Sequence, residues 1–341
     1  MRVGLDAMGG DSAPIVEVRG AIDAAQEFPG SIRVVLVGNE EKIFRRLDRR
    51  EAESLGIEVH HTAEEISMAE GAAFAFRRKQ DSSIVVAARL LKEGRIDALV
   101  SAGNTGAVAT SALLSVGRIP GIQRPAIAAL VPTPTGHTIL LDVGANSVCK
   151  PTHLYQFALM GKVYAQQIFQ VPEPRVALLN IGEEDSKGSD LAVQAYRLLA
   201  DARPHLNFIG NVEGRDILKG TADVVVCDGF TGNVILKFAE SVVGMLMSTV
   251  RREVEKNLKI RLGALLLKPV FRRLRDKLNY EEYGGAPLLG VNGICVISHG
   301  SSSPLAIKNA VRVAAESARK RIHTQIKEEL DREQRDRQVL G

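Results

Sequence analysis

The chain has no tryptophan, and only five tyrosines and ten phenylalanines among 341 residues. Such a shortage of rings argues against a single-strand nucleic-acid binder, which stacks successive bases on aromatic side chains. Its three cysteines, Cys149, Cys227 and Cys295, are odd in number, far apart and without CxxC spacing. Neither a disulfide framework nor a zinc site follows, and a cytosolic setting is the default. His60-His61 lacks a spaced third ligand, so no metal is expected there. No Walker sequence, GxGxxG, HExxH or GxSxG occurs, which removes the signatures of the usual nucleotide sites and of common hydrolases. The sequence opens directly on a strand-like run, so no signal peptide is expected, and no apolar run is expected to span a membrane.

Charge is present but uneven. Residues 251–277 hold ten basic and three acidic side chains, a local +7 inside a total of +4, so the remainder is slightly acidic. Within this stretch Leu262, Leu265, Leu266, Leu267 and Val270 form an apolar tip bordered by Arg261, Lys268, Arg272 and Arg275. Pro269 prevents one regular helix through it, so a helical hairpin over about 251–283 is expected. Basic residues around an apolar tip suit reversible attachment to an anionic membrane surface. Packing of the leucine face on the core or on a second subunit is the alternative.

Six strand-like runs end in polar loops rich in Gly, Asn, Asp and Ser. The loops are Gly9-Gly10-Asp11, Gly103-Asn104-Thr105-Gly106, Asp142 to Asn146, Asn180 to Gly188, Asp228 to Asn233, and His299-Gly300-Ser301-Ser302. In a parallel sheet the carboxyl ends of strands share one edge, so these loops are expected to gather at one crevice. Glycines there expose backbone N–H groups suited to phosphate or an oxyanion. Strands alternate with helices throughout. Helices are expected over about 14–27, 40–50, 83–92, 105–116, 151–169, 189–200, 232–257 and 304–323, with about ten strands between them. A short link joins Ala126–Val131 to Thr138–Leu141 and favours an antiparallel hairpin. This predicts a three-layer α/β/α sandwich on a mostly parallel mixed sheet, a single domain over 1–341 or two lobes of it. The densely charged tail, 324–341, is read as a solvated helix end, and Asp11 as a cap for the first helix.

The motifs Asp6-Ala-Met-Gly-Gly-Asp11, Ser101-Ala-Gly-Asn-Thr-Gly106, Asp142-Val-Gly-Ala-Asn146, Asn211-Val-Glu213, Asp228-Gly-Phe-Thr-Gly-Asn233, Tyr283-Gly-Gly285 and His299-Gly-Ser-Ser302 occur in this order. In order and spacing the set resembles the bacterial phosphate acyltransferase (PlsX) family of phospholipid synthesis, from residue 1 to about 323. The resemblance implies an isocitrate/isopropylmalate-dehydrogenase-like fold, a homodimer, and neither metal nor cofactor. It implies conversion of long-chain acyl-acyl carrier protein and inorganic phosphate into acyl phosphate and free carrier protein. It also implies a peripheral membrane protein whose apolar tip corresponds to Leu262–Val270. One departure is Ser186, where the family often carries a second lysine before the one matching Lys187.

That chemistry needs no activated nucleophile. Phosphate is largely a dianion at neutral pH, and a thiolate with a parent pKa near ~8.5 leaves with modest help. The expected site holds phosphate with Lys187, Asn104 and the Gly103 and Gly106 backbone, and faces Asn233 to the oxyanion. Asp228 is expected to orient Lys187 or protonate the sulfur, with His299 a second candidate for that proton. Asp6, Gly9, Gly10, Thr105, Asn146, Gly229, Thr231, Gly232, Gly300, Ser301 and Ser302 complete the expected phosphate and substrate pocket. Cys149 and Cys227 are read as structural rather than acyl-bearing. Three other readings compete. A decarboxylating dehydrogenase would need clustered carboxylates for Mg²⁺. A short-chain phosphotransacylase would use coenzyme A. A non-catalytic membrane-surface scaffold would leave the polar loops unexplained.

Overall fold

The computed structural model describes residues 1–134, 136–202, 205–256, 258–270 and 280–340; at 258, 259, 261, 262, 280 and 337–340 it describes the backbone alone. The chain begins with β1 (Arg2–Asp6), α1 (Ile15–Glu27), β2 (Arg33–Gly38), α2 (Glu40–Phe44), α3 (Arg49–Leu55) and β3 (Glu58–His61). Next come α4 (Ala72–Arg78), α5 (Ser83–Lys92), β4 (Ala98–Ser101) and α6 (Thr105–Ser111), the last continuing as a π turn over Ala112–Val116. The hairpin β5 (Ala126–Thr133) and β6 (Gly136–Leu141) leads to α7 (Pro151–Phe169), β7 (Arg175–Leu179), α8 (Asp190–Asp201) and β8 (Asn207–Val212). Then follow α9 (Gly214–Ile217), β9 (Val224–Val226), α10 (Gly229–Glu255), α11 (Leu258–Leu266), β10 (Ala286–Leu289), β11 (Cys295–Ile297), α12 (Pro304–Arg319) and α13 (Ile322–Leu340).

Among the described residues one sheet of eleven strands runs β3-β2-β1-β4-β11-β10-β5-β6-β9-β7-β8. Its strands are apolar on both faces because helices cover both. Alternation along each strand sends Val34, Leu36, Val224 and Val226 into one core with α1, α7 and α12. The same alternation sends Val35, Val37 and Val225 into a second core with α5 and α6. The α/β/α layering expected from the sequence is thus present.

Strand direction reverses across the middle. β11 runs parallel to β4, whereas β10 is antiparallel to both β11 and β5, and β5 is antiparallel to β6. The carboxyl ends of β1, β4 and β11 therefore point opposite to those of β6, β7 and β9. The six polar loops do not share one edge, contrary to the expectation from a parallel sheet. The cause is the odd number of antiparallel pairings between the two halves, β11–β10, β10–β5 and β5–β6.

Smaller differences have local causes. Asp48 caps α3 through Arg50 N–H at 2.8 Å, which splits the helix expected over 40–50 into two. α1 starts after Pro14 without a side-chain cap, so Asp11 is not its cap. The charged tail is not simply solvated: Ile322, Ile326 and Leu330 recur every four residues and are buried. They dock α13 where Lys162 on α7 pairs with Glu329 at 2.5 Å. α10 buries only Gly229 and Gly232. It leaves Phe230, Val234, Phe238, Met245 and Leu246 more than half exposed. By length and composition alone it is apolar enough to cross a membrane, a feature the sequence reading overlooked because Lys237 and Glu240 interrupt the run. Leu265, Leu266, Leu267 and Val270 are likewise exposed. The Leu262 side chain, residues 271–279 and Gly341 fall outside the described structure.

Candidate active site

The loops after β1, β4 and β11 form one cluster. Asp6, buried at the end of β1, accepts hydrogen bonds from Ser101 Oγ at 2.7 Å and Met8 N at 3.1 Å. Burial raises its carboxyl above the ordinary aspartate range, against the hydrogen bonds from Ser83 and Ser101 that favour the charge. Gly103 N–H donates to Ser101 Oγ at 3.1 Å, and Asp11 N–H donates to the Gly300 carbonyl at 2.8 Å. Gly9 lies so close to Gly103 that an added Cβ would come within 2.8 Å of its nitrogen. Asn104 caps α6 by accepting from Ala107 N–H at 3.0 Å, and its amide donates to the Met68 carbonyl at 2.8 Å. Its polar atoms thus hold the loop rather than standing free for phosphate. Ser301 N–H donates to His299 Nδ1 at 3.2 Å, so the neutral ring carries its proton on Nε2.

The loops after β6 and β9 form the second cluster. Asp142 Oδ1 accepts from the N–H groups of Ile127, Gly144 and Ala145, and Oδ2 from the Asn146 N–H and side-chain amide, all at 2.8–3.2 Å. The Asn146 carbonyl takes the Gly229 N–H at 2.8 Å, and Gly232 packs on the Asp142 carbonyl with no room for a side chain. Asp228 caps α10: Oδ1 accepts from Phe230 and Thr231 N–H at 3.0 and 2.9 Å, and Oδ2 from Thr231 Oγ1 at 2.7 Å. Both of its oxygens are engaged, and among the described residues it makes no ion pair with Lys187. This corrects the reading of Asp228 as the residue that orients that lysine.

Lys187 lies in a third loop. Its carbonyl accepts from Asn180 Nδ2 at 2.9 Å, while Asn211 Nδ2 donates to the Glu184 carbonyl at 2.8 Å. The lysine is exposed and does not line the cleft that joins the first two clusters. Asn104 and Lys187 therefore end strands of opposite direction, and no contact links them.

That cleft, about 440 Å³, crosses the reversed strands in the middle of the sheet. Gly103, Thr105, His299, Gly300 and Ser302 line one side, and Gly144 and Asn233 another. Between them lie Ile127, Ala129, Leu130, Leu236 and Ile297, which make an apolar wall. Lys237 and Glu240 also line it, and the sequence reading missed them. The signal was available, since they follow Asn233 at helical spacings of four and seven. Gly9, Gly10, Gly106, Asn146, Gly229, Thr231, Gly232 and Ser301 shape the adjoining loops without lining the cleft. The cysteines are poor nucleophiles here. Burial pushes the Cys149 thiol up to about 11, with the Asp142 charge adding to it, and raises Cys227 well above its ordinary value.

The fold is shared with a phosphotransacetylase from Streptococcus pyogenes, at a TM-score of 0.60 and 19% identity over 94% of both chains. It is also shared with a 4-hydroxythreonine-4-phosphate dehydrogenase from Burkholderia phymatum, at 0.50 and 14% over 92% of this chain and 97% of the other. The chain thus has an α/β enzyme fold of the phosphotransacylase and dehydrogenase kind. Residues 1–325 match the family described as "Fatty acid synthesis protein". A phosphate acyltransferase from Dictyoglomus turgidum is 52% identical over 333 residues, covering 97% of this chain and 98% of the relative. The chain belongs to the phosphate acyltransferase family and is an acyltransferase.

Proposed function

We propose that the cleft transfers a long acyl chain from an acyl-acyl carrier protein thioester to inorganic phosphate. The observation that carries this reading is the apolar wall laid between two groups of glycine-lined loops. An acyl chain lies along Ile127, Ala129, Leu130 and Leu236, and its thioester carbon sits between Asn233 and the His299-Gly300 turn. Phosphate rests against the Gly103–Thr105 backbone, with Lys237 from the cleft wall as its cation. One phosphate oxygen attacks the carbonyl carbon, and the Asn233 amide steadies the resulting oxyanion. The C–S bond then breaks, and the thiolate takes a proton from Nε2 of the imidazolium form of His299, leaving the ring neutral, or from water. With both Asp228 oxygens used as a helix cap, His299 is the better-placed donor.

The exposed apolar residues of α10 and α11 extend the proposal. The α10 face with Phe230, Val234 and Phe238 meets a second copy of the chain. Leu265, Leu266, Leu267 and Val270, beside the basic stretch, rest on an anionic membrane. Formation of acyl phosphate from carrier-protein and coenzyme A thioesters tests the central reading. The carrier donor should be preferred, and Asn233→Ala should slow turnover about 10²-fold or more. Wild-type turnover in that variant would remove the cleft assignment. Liposome flotation of Leu265/Leu266/Leu267→Ser tests the tip, and flotation equal to wild type would demote it to a packing surface.

A further inference from the structure

Glu17 stands in the first turn of α1 and is 1% exposed. Its Oε2 has no hydrogen-bond partner among the described residues. A buried polar atom of this kind calls for a reason. The carboxyl lies directly behind Gly10, where any side chain would run into Oε1. The Gly9-Gly10-Asp11 turn in front of it touches the cleft lining twice: Gly9 packs on Gly103, and Asp11 N–H donates to the Gly300 carbonyl at 2.8 Å.

We propose that Glu17 is a positioning residue for the reaction, its buried carboxyl propping the Gly9-Gly10-Asp11 turn against Gly103 and Gly300. The inference rests on the cleft being the reaction site. The titratable groups facing Glu17 are Asp6 from β1 and Asp11 from the turn, both acidic. α12 packs on α1 through Ile307 and the Pro304 carbonyl, which meet Gly20 one turn on from Glu17, and its ion pair to α1, Lys308–Glu27, lies ten residues further along the helix. β2, also packed on α1, contributes buried Val34 and Leu36. Burial first, then the two aspartates, pushes the Glu17 carboxyl up to about 7. The favourable field of the helix N-terminus is too weak to reverse this. Above that pH a negative charge appears behind the turn beside Asp6 and Asp11 and loosens the contacts that fix Gly103 and Gly300.

The test is the pH dependence, from pH 6 to 9, of kcat and of KM for phosphate. Wild type, Glu17→Gln, Glu17→Ala and Asn233→Ala are assayed with a long-chain acyl-carrier thioester. Ionisation of phosphate is common to wild type and the Glu17 variants, so differences between them report Glu17. Glu17→Gln keeps the shape without the charge, and its kcat/KM for phosphate should exceed wild type about tenfold at pH 9, the two converging at pH 6. Glu17→Ala should lose about tenfold at every pH, mainly through KM. A Glu17→Gln profile superimposed on wild type overturns the proposal, and it decides alone if Glu17→Ala does not fold. Wild-type turnover in Asn233→Ala would instead overturn the cleft assignment, a result distinct from either outcome at Glu17.

Discussion

Asp6 and Asp142 each close a strand beside the cleft, yet the donors around them differ in number and kind. Asp142 receives four backbone N–H groups and a side-chain amide. Asp6 receives one backbone N–H and serine hydroxyls. Burial lifts both carboxyls above the ordinary range, against these hydrogen bonds. The difference shows one edge of the cleft built as a fixed frame and the other as a set of glycine turns leaning on one another. Chemistry that must grip a small anion and then release a charged product has a reason to combine the two.

The contrast can be broken most directly at the aspartates. Asp142→Ala would orphan four backbone donors and should cost about 4 kcal/mol in urea unfolding, against about 2 kcal/mol for Asp6→Ala. Equal losses would erase the distinction. Glycines sharpen it further. Gly232→Ala drives a methyl into the Asp142 carbonyl and should cost about 3 kcal/mol, whereas Gly103→Ala, 3.2 Å from Ser101 Oγ, should cost about 1 kcal/mol. A milder contrast sets docked against projecting helices: Leu330→Ala should lose about 2–3 kcal/mol, and Leu266→Ala less than about 0.5 kcal/mol.

A further contrast depends on pH. The folded-state pKa of Glu17 is raised from 4.5 to about 7, so its contribution to stability is complete below pH 4.5 and lost as pH rises through about 7. Glu17→Gln should therefore match wild type at pH 4.5 and unfold at higher temperature at pH 8, by about 2 kcal/mol after relaxation of the site. Identical thermal curves at both pH values would show that the buried carboxyl is not strained by its charge.

Much of this was legible before the structure. Apolar strand-like runs and their glycine-rich ends named most strands, the loops and several residues that line the cleft, including Gly103, Asn233 and His299. What failed was direction. Alternation marks which residues face a core, but not which way a strand runs. β10, only four residues long, adds two antiparallel pairings that cancel. The reversal is therefore the one made by the β5–β6 hairpin, whose consequence for the loops beyond it went unread. Roles were harder to read than places. Asn104 and Asp228 have the side chains of ligand-binding residues, and they use them to cap α6 and α10. The tail was misjudged because Ile326 and Leu330 are isolated among charges and gain meaning only at helical spacing. Glu17 gave no signal, since nothing local distinguishes a buried first-turn glutamate from a solvated one.

The neighbour of β4 in the sheet is β11, almost two hundred residues further along the chain. During synthesis, residues 1–101 leave the ribosome with every other partner of their half-sheet present except the strand that covers the β4 edge. An open edge of this kind templates unwanted pairing. The nascent chain must guard that edge until nearly the whole polypeptide has emerged, so the last strand to be made is the one that seals the first half.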